Sequence, residues 1–169
     1  MALLLRHYDI NDVVAALAAH AELAAEDFEF LLGYDPTRPW SSFVQMNHDM
    51  EQGVNLPDGW VPAAQLGAFV DGELVGRTSI RFGFNDFLAF RGGHIGYAVR
   101  PHARRRGYAT EILQQSCVIA RQQGIDHVLV TCNDANIGSA AVIEACGGVL
   151  EGVAVDPADG ERFRRYWIN

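Results

Sequence analysis

The chain has 169 residues, 49% of them hydrophobic and 20% charged, which is the size and make-up of one soluble globular domain spanning residues 1–169. Its net charge of −8 excludes nucleic acid as the main partner, because phosphate-backbone binding needs a basic footprint. The three cysteines, Cys117, Cys132 and Cys146, lack metal-ligand spacing, and no stretch approaches the ~20 apolar residues of a membrane span. Reduced core thiols, no metal, no membrane contact and a cytoplasmic location are therefore expected.

Leu3–Arg6 reads as a short strand, and the apolar run there is too brief for a signal-peptide core. Asp9, with Asp12 three residues on, resembles a capping box, after which Ile10, Val13, Val14 and Leu17 recur at helical spacing. A second periodic stretch, Phe28, Leu31 and Leu32, stops near Gly33 and Pro36. Residues 33–62 are irregular, with Phe43, Met46 and Met50 suggesting a short helix; segments of this kind often carry specificity.

Gln65–Val70 and Leu74–Phe82 are strand-like and separated by Asp71-Gly72, the dipeptide of a tight hairpin. An aromatic-rich connection, Phe84–Phe90, leads to a compact apolar strand, His94–Val99, ended by Arg100-Pro101. A basic turn follows. Ala109, Ile112, Leu113, Ser116, Cys117 and Ala120 then form one helical stripe, ended by Gly124. His127–Cys132 is a buried-strand pattern, Ser139–Ala145 a short helix, and Val149–Val155 and Arg162–Ile168 a closing pair of strands. The alternation gives an α/β (α+β) mixed sheet flanked by helices.

The chemistry concentrates between His94 and Thr110, where a strand, a turn dense in Arg and Gly, and a helix start follow one another. The free amides and positive dipole end of a helix make an anion site. Gly107 and Ala109 allow close backbone approach to a phosphate, and Arg104, Arg105 and Arg106 add charge in a phosphate-matching fork. The ending of a Walker A loop and the glycine spacing of a dinucleotide fingerprint are both absent. A solvated surface turn is the plain alternative.

Arg104-Arg-Arg-Gly107-Tyr-Ala109 resembles the Gln/Arg-x-x-Gly-x-Gly/Ala pyrophosphate loop of the GNAT acyltransferases, and it follows an Ile-Gly-Tyr-x-Val strand as in that family. Asn136-Ile-Gly-Ser139, then Val142-Ile143-Glu144 and Gly147, is similar to the family's Asn-x-x-Ser/Ala…Glu-Lys-x-Gly-Phe segment. The resemblance covers residues 64–169 well and the first third loosely. It implies a central, mostly antiparallel sheet with a splayed parallel strand pair, flanked by helices.

It further implies transfer of an acyl group, acetyl above all, from acetyl-CoA to the amine of a small molecule. Acylation of a peptide or protein, and a silent acyl-CoA-binding module, are the alternatives. A homodimer is compatible with the family. Ala98 and Val99 would meet the pantetheine arm, with an N–H near Val99 polarising the thioester carbonyl. Amides from Arg105 through Tyr108 and Ala109 to Thr110 would hold the pyrophosphate, and Asn136 and Ser139 would lie along the pantetheine or nucleotide. His94 stands where relatives often carry the general base Glu, and a hydrogen-bonding role at a strand start is its alternative. Ile143 replaces the family's proton-donating Tyr, leaving Tyr166 or Tyr97 to serve as general acid, or core packing as the use of either. Gly148 replaces the usual Phe.

Overall fold

The computed structural model describes residues 2–169. Strand β1 (Leu4–Arg6) leads through a 3-10 turn (Ile10–Asp12) into α1 (Val13–Ala24). The Asp9 carboxylate accepts from the Asn11 amide (2.7 Å), and Asp12 accepts from the Asp9 amide (2.7 Å). This reciprocal arrangement satisfies amides that a helix start leaves open. The face that α1 buries differs from the expected stripe. Ile10 and Val14 are 59% and 78% exposed, whereas Ala16, Ala19 and Leu23 are buried. The alanines win because a smooth face lets the helix lie close on the sheet.

Phe28, Leu31 and Leu32 do not form a second helix; the chain there runs in turns. Tertiary hydrogen bonds take the backbone groups that a helix would have used. The Leu31 amide donates to His20 Nδ1 (3.2 Å) and the Leu32 amide to Gln65 Oε1 (2.8 Å). Gln65 Nε2 returns a bond to the Leu32 carbonyl (3.2 Å). Helix α2 (Trp40–Glu51) follows and is longer than its three spaced apolar residues suggest.

Strands β2 (Ala63–Val70) and β3 (Glu73–Arg81) form the expected hairpin, with Asp71 at φ 50° and Gly72 at φ 83°. Such paired positive φ angles match the twist of a two-residue turn. After a π-helical turn (Leu88–Gly92) come β4 (Ile95–Val99), α3 (Tyr108–Gln122), β5 (Val128–Asn133), α4 (Ile137–Ala145), β6 (Val149–Val155) and β7 (Arg162–Ile168). The order β1-β2-β3-β4 makes one antiparallel sheet and β5-β7-β6 another. One face of the first sheet packs with α3, α4 and the second sheet around Leu66, Ile80, Ile95, Leu113, Val130 and Tyr166. The opposite face packs with α1 and α2 around Phe30, Trp40, Phe43, Phe69 and Leu74. Among the described residues, no helix is long and apolar enough to cross a membrane.

Besides their shared core, the two sheets are linked edge to edge at His94 and Leu129. The His94 amide donates to the Leu129 carbonyl (2.8 Å), and the Leu129 amide returns a bond to His94 Nδ1 (2.9 Å). Gly93 permits this closure: its φ is +66°, and a Cβ there would lie 2.7 Å from the Leu129 carbonyl oxygen. Beyond His94, β4 and β5 share no ladder. Their first residues touch while their far ends, Val99 and Asn133, face each other across a cleft, so the two strands run in the same direction and splay.

Candidate active site

The splay opens a cleft of about 910 Å³. One wall is β4, from Tyr97 to Val99, and the other is α4 with Asn133 at the end of β5. The turn into α3 closes one end, and Leu23 at the end of α1 with Glu26, Asp27 and Phe28 beyond it covers a side.

The alternation of an antiparallel edge decides which β4 groups are free. The Arg81 amide donates to the His94 carbonyl (2.7 Å) and the Arg100 amide to the Val75 carbonyl (2.9 Å), so even-numbered residues between them bond β3. Tyr97 and Val99 then point their N–H groups away from β3 and into the cleft. The Val99 carbonyl on that side is already taken by Arg104 Nε at 3.1 Å.

The turn before α3 presents a run of open amides. Arg105 adopts φ 60° and Gly107 φ 84°, which turns successive amides toward one side. The first helical bond runs from the Glu111 amide to the Gly107 carbonyl (3.2 Å). The six amides from Arg105 to Thr110 have no backbone or side-chain acceptor among the described residues. This run adds to the positive end of a fifteen-residue helix dipole.

The three arginines divide their labour. Arg104 is held by Val99 and by Glu26, whose Oε2 lies 2.6 Å from Nη2. That pairing holds the Glu26 carboxyl below its ordinary range, first through the Arg104 hydrogen bond. Arg104 thus fastens the end of α1 to the loop. Arg105 lines the cleft, and Arg106 is exposed outside its wall. Ala98, Val99, Gly107, Tyr108, Ala109, Thr110, Asn136 and Ser139, all expected at this site, are brought together around the cleft. Asn136 also caps α4, accepting from the Ser139 amide at 3.0 Å.

Two expected catalytic residues are placed elsewhere. His94 sits at the joined end of the strands, 6% exposed and stacked on Phe84 (ring centroids 4.0 Å apart). Burial, helped by the nearby Arg81 charge, pushes its pKa down to about 4. A group that holds a proton so weakly is poorly matched to an amine whose own pKa is ~10. His94 closes the sheet junction through Leu129 and does not line the cleft. Tyr166 is fully buried, donates to Glu144 Oε1 (2.9 Å), and does not line the cleft.

Tyr97 does line it. Its hydroxyl lies 2.8 Å from the Ser139 hydroxyl, spanning from β4 to α4. Burial raises its pKa to about 12, so at neutral pH it carries its proton. The contribution of Glu26 to the site escapes sequence reasoning, since 78 positions separate it from Arg104. Among the described residues, no three His, Cys, Asp or Glu side chains gather as a metal site would require.

Comparisons with known proteins give the family and the fold. The family model described as Acetyltransferase (GNAT) family matches residues 34–148. No curated protein matches the sequence. Among solved structures, the acetyltransferase of Salmonella typhimurium that modifies the N-terminal serine of ribosomal protein L7/L12 superposes with a TM-score of 0.70 at 22% identity, covering 98% of this chain and 93% of its own. The microcin C7 self-immunity acetyltransferase MccE, solved with acetyl-CoA and AMP, gives 0.68 at 17% identity, with 98% and 91% covered. A Bordetella pertussis protein assigned to the GNAT family gives 0.69 at 15% identity, with 99% and 95% covered. At such identities the likeness is one of fold, and the family-model match carries the assignment. The chain belongs to the acetyltransferase (GNAT) family, the class of enzymes that draws its acetyl group from acetyl-CoA.

Proposed function

We propose that the protein transfers the acetyl group of acetyl-CoA directly to the primary amine of a small molecule. The observation that carries this reading is the run of partnerless amides from Arg105 to Thr110 at the mouth of a cleft of about 910 Å³. Those amides and the Arg105 guanidinium fit a pyrophosphate. The free N–H groups of Tyr97 and Val99 fit the edge of a pantetheine arm, and the Val99 N–H is placed to stabilise negative charge growing on the thioester oxygen.

The amine nitrogen bonds to the carbonyl carbon as the carbonyl electrons move to oxygen, the ammonium so formed releases a proton to solvent, and collapse expels the CoA thiolate. Tyr97 gives that sulfur its proton and recovers one through the Ser139 hydroxyl, doing from β4 the work that Ile143 cannot do from α4. The amine reaches the site unprotonated, its proton having passed to solvent, since His94 is engaged elsewhere.

A segment tied down on this face of the sheet favours a small acceptor over an extended peptide. Residues 28–32 are tied to β3 by Arg77 to the Glu29 carbonyl (3.1 Å) and to β2 by the Gln65–Leu32 pair. Acylation of a peptide is the reading that the Salmonella L7/L12 enzyme suggests by analogy. The test is thiol release from acetyl-CoA across a library of small amines and peptides. Release with small amines supports the proposal, release with peptides alone overturns the acceptor class, and release with neither marks a silent binding module.

A further inference from the structure

On the α1–α2 face of the first sheet, β3 carries two arginines four residues apart, Arg77 and Arg81, on the same side of the strand. Their guanidiniums flank Gly96, on the β4 residue that precedes Tyr97. Arg77 Nη1 donates to the Gly96 carbonyl (3.3 Å), and a Cβ on Gly96 would lie 3.2 Å from Arg81 Nη1. The glycine leaves the space that the Arg81 guanidinium occupies.

Among the described residues, neither arginine forms an ion pair; the Glu29 carboxylate acts on Arg77 only from a distance. Among the described residues, the partners of Arg77 are the Gly96 and Glu29 carbonyls and the face of Phe28 (4.8 Å to the ring centroid). Its Nε is buried with no partner, and the whole residue is 3% exposed. Arg81 donates one bond, to the Gly92 carbonyl (3.3 Å), leaving most of its N–H donors open. The carboxylate of Glu29 accepts instead from the Gly33 amide (3.1 Å). Burial lowers both guanidiniums to about 10, and Arg77 is lowered further by Arg81.

Two adjacent cations, one buried and one partly exposed, with no ion-pair partner are costly, and an acidic protein with a net charge of −8 has carboxylates to spare for the purpose. Glu26, by contrast, pairs with Arg104 and Asp12 with Arg6. Phe28 joins this pair to the donor cleft: it lines the cleft and lies against Arg77. Arg81 is the partly exposed member, so a ligand meets Arg81 while Arg77 supplies field from behind.

We infer that Arg81, backed by Arg77, binds an anionic oxygen group, a carboxylate or a phosphate, on the acceptor amine, so that the substrate is an amine that also carries a negative charge. This rests on the proposed transferase reading and narrows its acceptor class. An anion held beside Gly96 puts the rest of a small acceptor next to the start of the splay. There the amine can approach the thioester from the face opposite Tyr97.

The test is NMR titration of isotope-labelled protein saturated with CoA, using sodium acetate in one arm, inorganic phosphate in another and chloride at matched ionic strength as control. CoA binding is measured first by calorimetry. Its absence would refute the donor-site reading alone, and the anion titrations would then be run on the protein by itself. The expected result is a saturable shift of the Gly96 amide and the Arg81 side-chain resonance with acetate or phosphate and not with chloride. The preferred anion identifies the group. Arg81→Gln should weaken that binding by at least about tenfold with CoA affinity unchanged, because a charge-assisted fork is lost. Arg81→Lys, which keeps the charge, should retain part of it and serves if Arg81→Gln does not fold. Shifts no larger than those in chloride overturn the inference, as does an unchanged curve in Arg81→Gln, or in Arg81→Lys an affinity above that of wild type.

Discussion

The hydroxyls of Tyr97 and Ser139 stand 2.8 Å apart across the cleft, joining the β4 wall to α4 at the place where the two strands have begun to separate. A tyrosine held protonated by burial, with a second hydroxyl behind it, can deliver one proton and be refilled. Tyr97→Phe should therefore lower kcat by ~10²-fold, at the lower end of what a positioned acid contributes. CoA affinity should hardly change, because the open amides before α3, where the phosphates are proposed to bind, lie on another element. Ser139→Ala should cost less, as water can take its place. Steady-state kinetics on a confirmed acceptor checks this, and a Tyr97→Phe enzyme with full kcat under rate-limiting chemistry would remove the assignment.

The pyrophosphate loop makes a sharper prediction. Gly107 sits at φ +84° with nothing within 4 Å of where a Cβ would be. Gly107→Ala should bear only the ~1–2 kcal/mol cost of a left-handed L residue. Gly107→Trp should fold comparably yet lose CoA binding, since its ring fills the space before the open amides. Arg105→Ala should bind CoA more weakly and with a shallower salt dependence, because Arg105 is an exposed charge. Titration calorimetry at two salt concentrations decides among these, and equal affinities across the set would place the nucleotide elsewhere.

Much of this site was legible before any coordinates. The loop from Arg104 to Thr110, the α3 stripe and the β2–β3 turn are local features, each written in a few consecutive residues. Long-range bonds were not legible. The helix expected at Phe28–Leu32 gave way to a hydrogen-bonded exchange with Gln65, 33 positions away. His94, expected as a base, lies in a junction bond with Leu129 that its place in the motif did not show. Motif position named these residues, but only the fold says which way they face. One readable signal was passed over: Arg77 and Arg81 lie an even number of residues apart in a strand-like run, which puts two charges on one face of a sheet.

Gly148 explains a departure from the family pattern. A Cβ there would lie 2.5 Å from Ile143 Cγ2 and 2.8 Å from the Ile143 carbonyl oxygen. The side chain could yield, but the carbonyl belongs to the last turn of α4 and accepts from the Gly148 amide (2.9 Å). Gly148→Ala should thus destabilise the protein by about 1–3 kcal/mol, as overpacking does, and Gly148→Phe by more. Denaturant unfolding measures both. An unchanged midpoint in Gly148→Phe would show that the α4–β6 turn has room for the family's aromatic residue after all.

The last prediction concerns acid. His94 is buried and accepts the Leu129 amide hydrogen at Nδ1, so the folded protein favours its neutral form. Its pKa falls from the usual 6.5 to about 4, chiefly through burial and then through Arg81. A depressed histidine pKa means that the unfolded chain binds the proton more readily than the native one. The stabilisation from neutral His94 is therefore complete above pH 6.5 and is lost as the pH falls toward about 4. Its upper bound over that window is on the order of 3 kcal/mol. His94→Asn keeps a carbonyl oxygen for the Leu129 amide but cannot take up a proton. The variant should be less stable than wild type at pH 7.5, having lost the ring stacked on Phe84. The gap should narrow steadily between pH 6.5 and 4 as the wild type alone pays for protonation. Paired urea unfolding curves across that range provide the check, with the difference between the two proteins cancelling the carboxylates they share. A gap that stays constant with pH would mean that His94 titrates alike in the folded and unfolded chain, and would reopen its candidacy as the base.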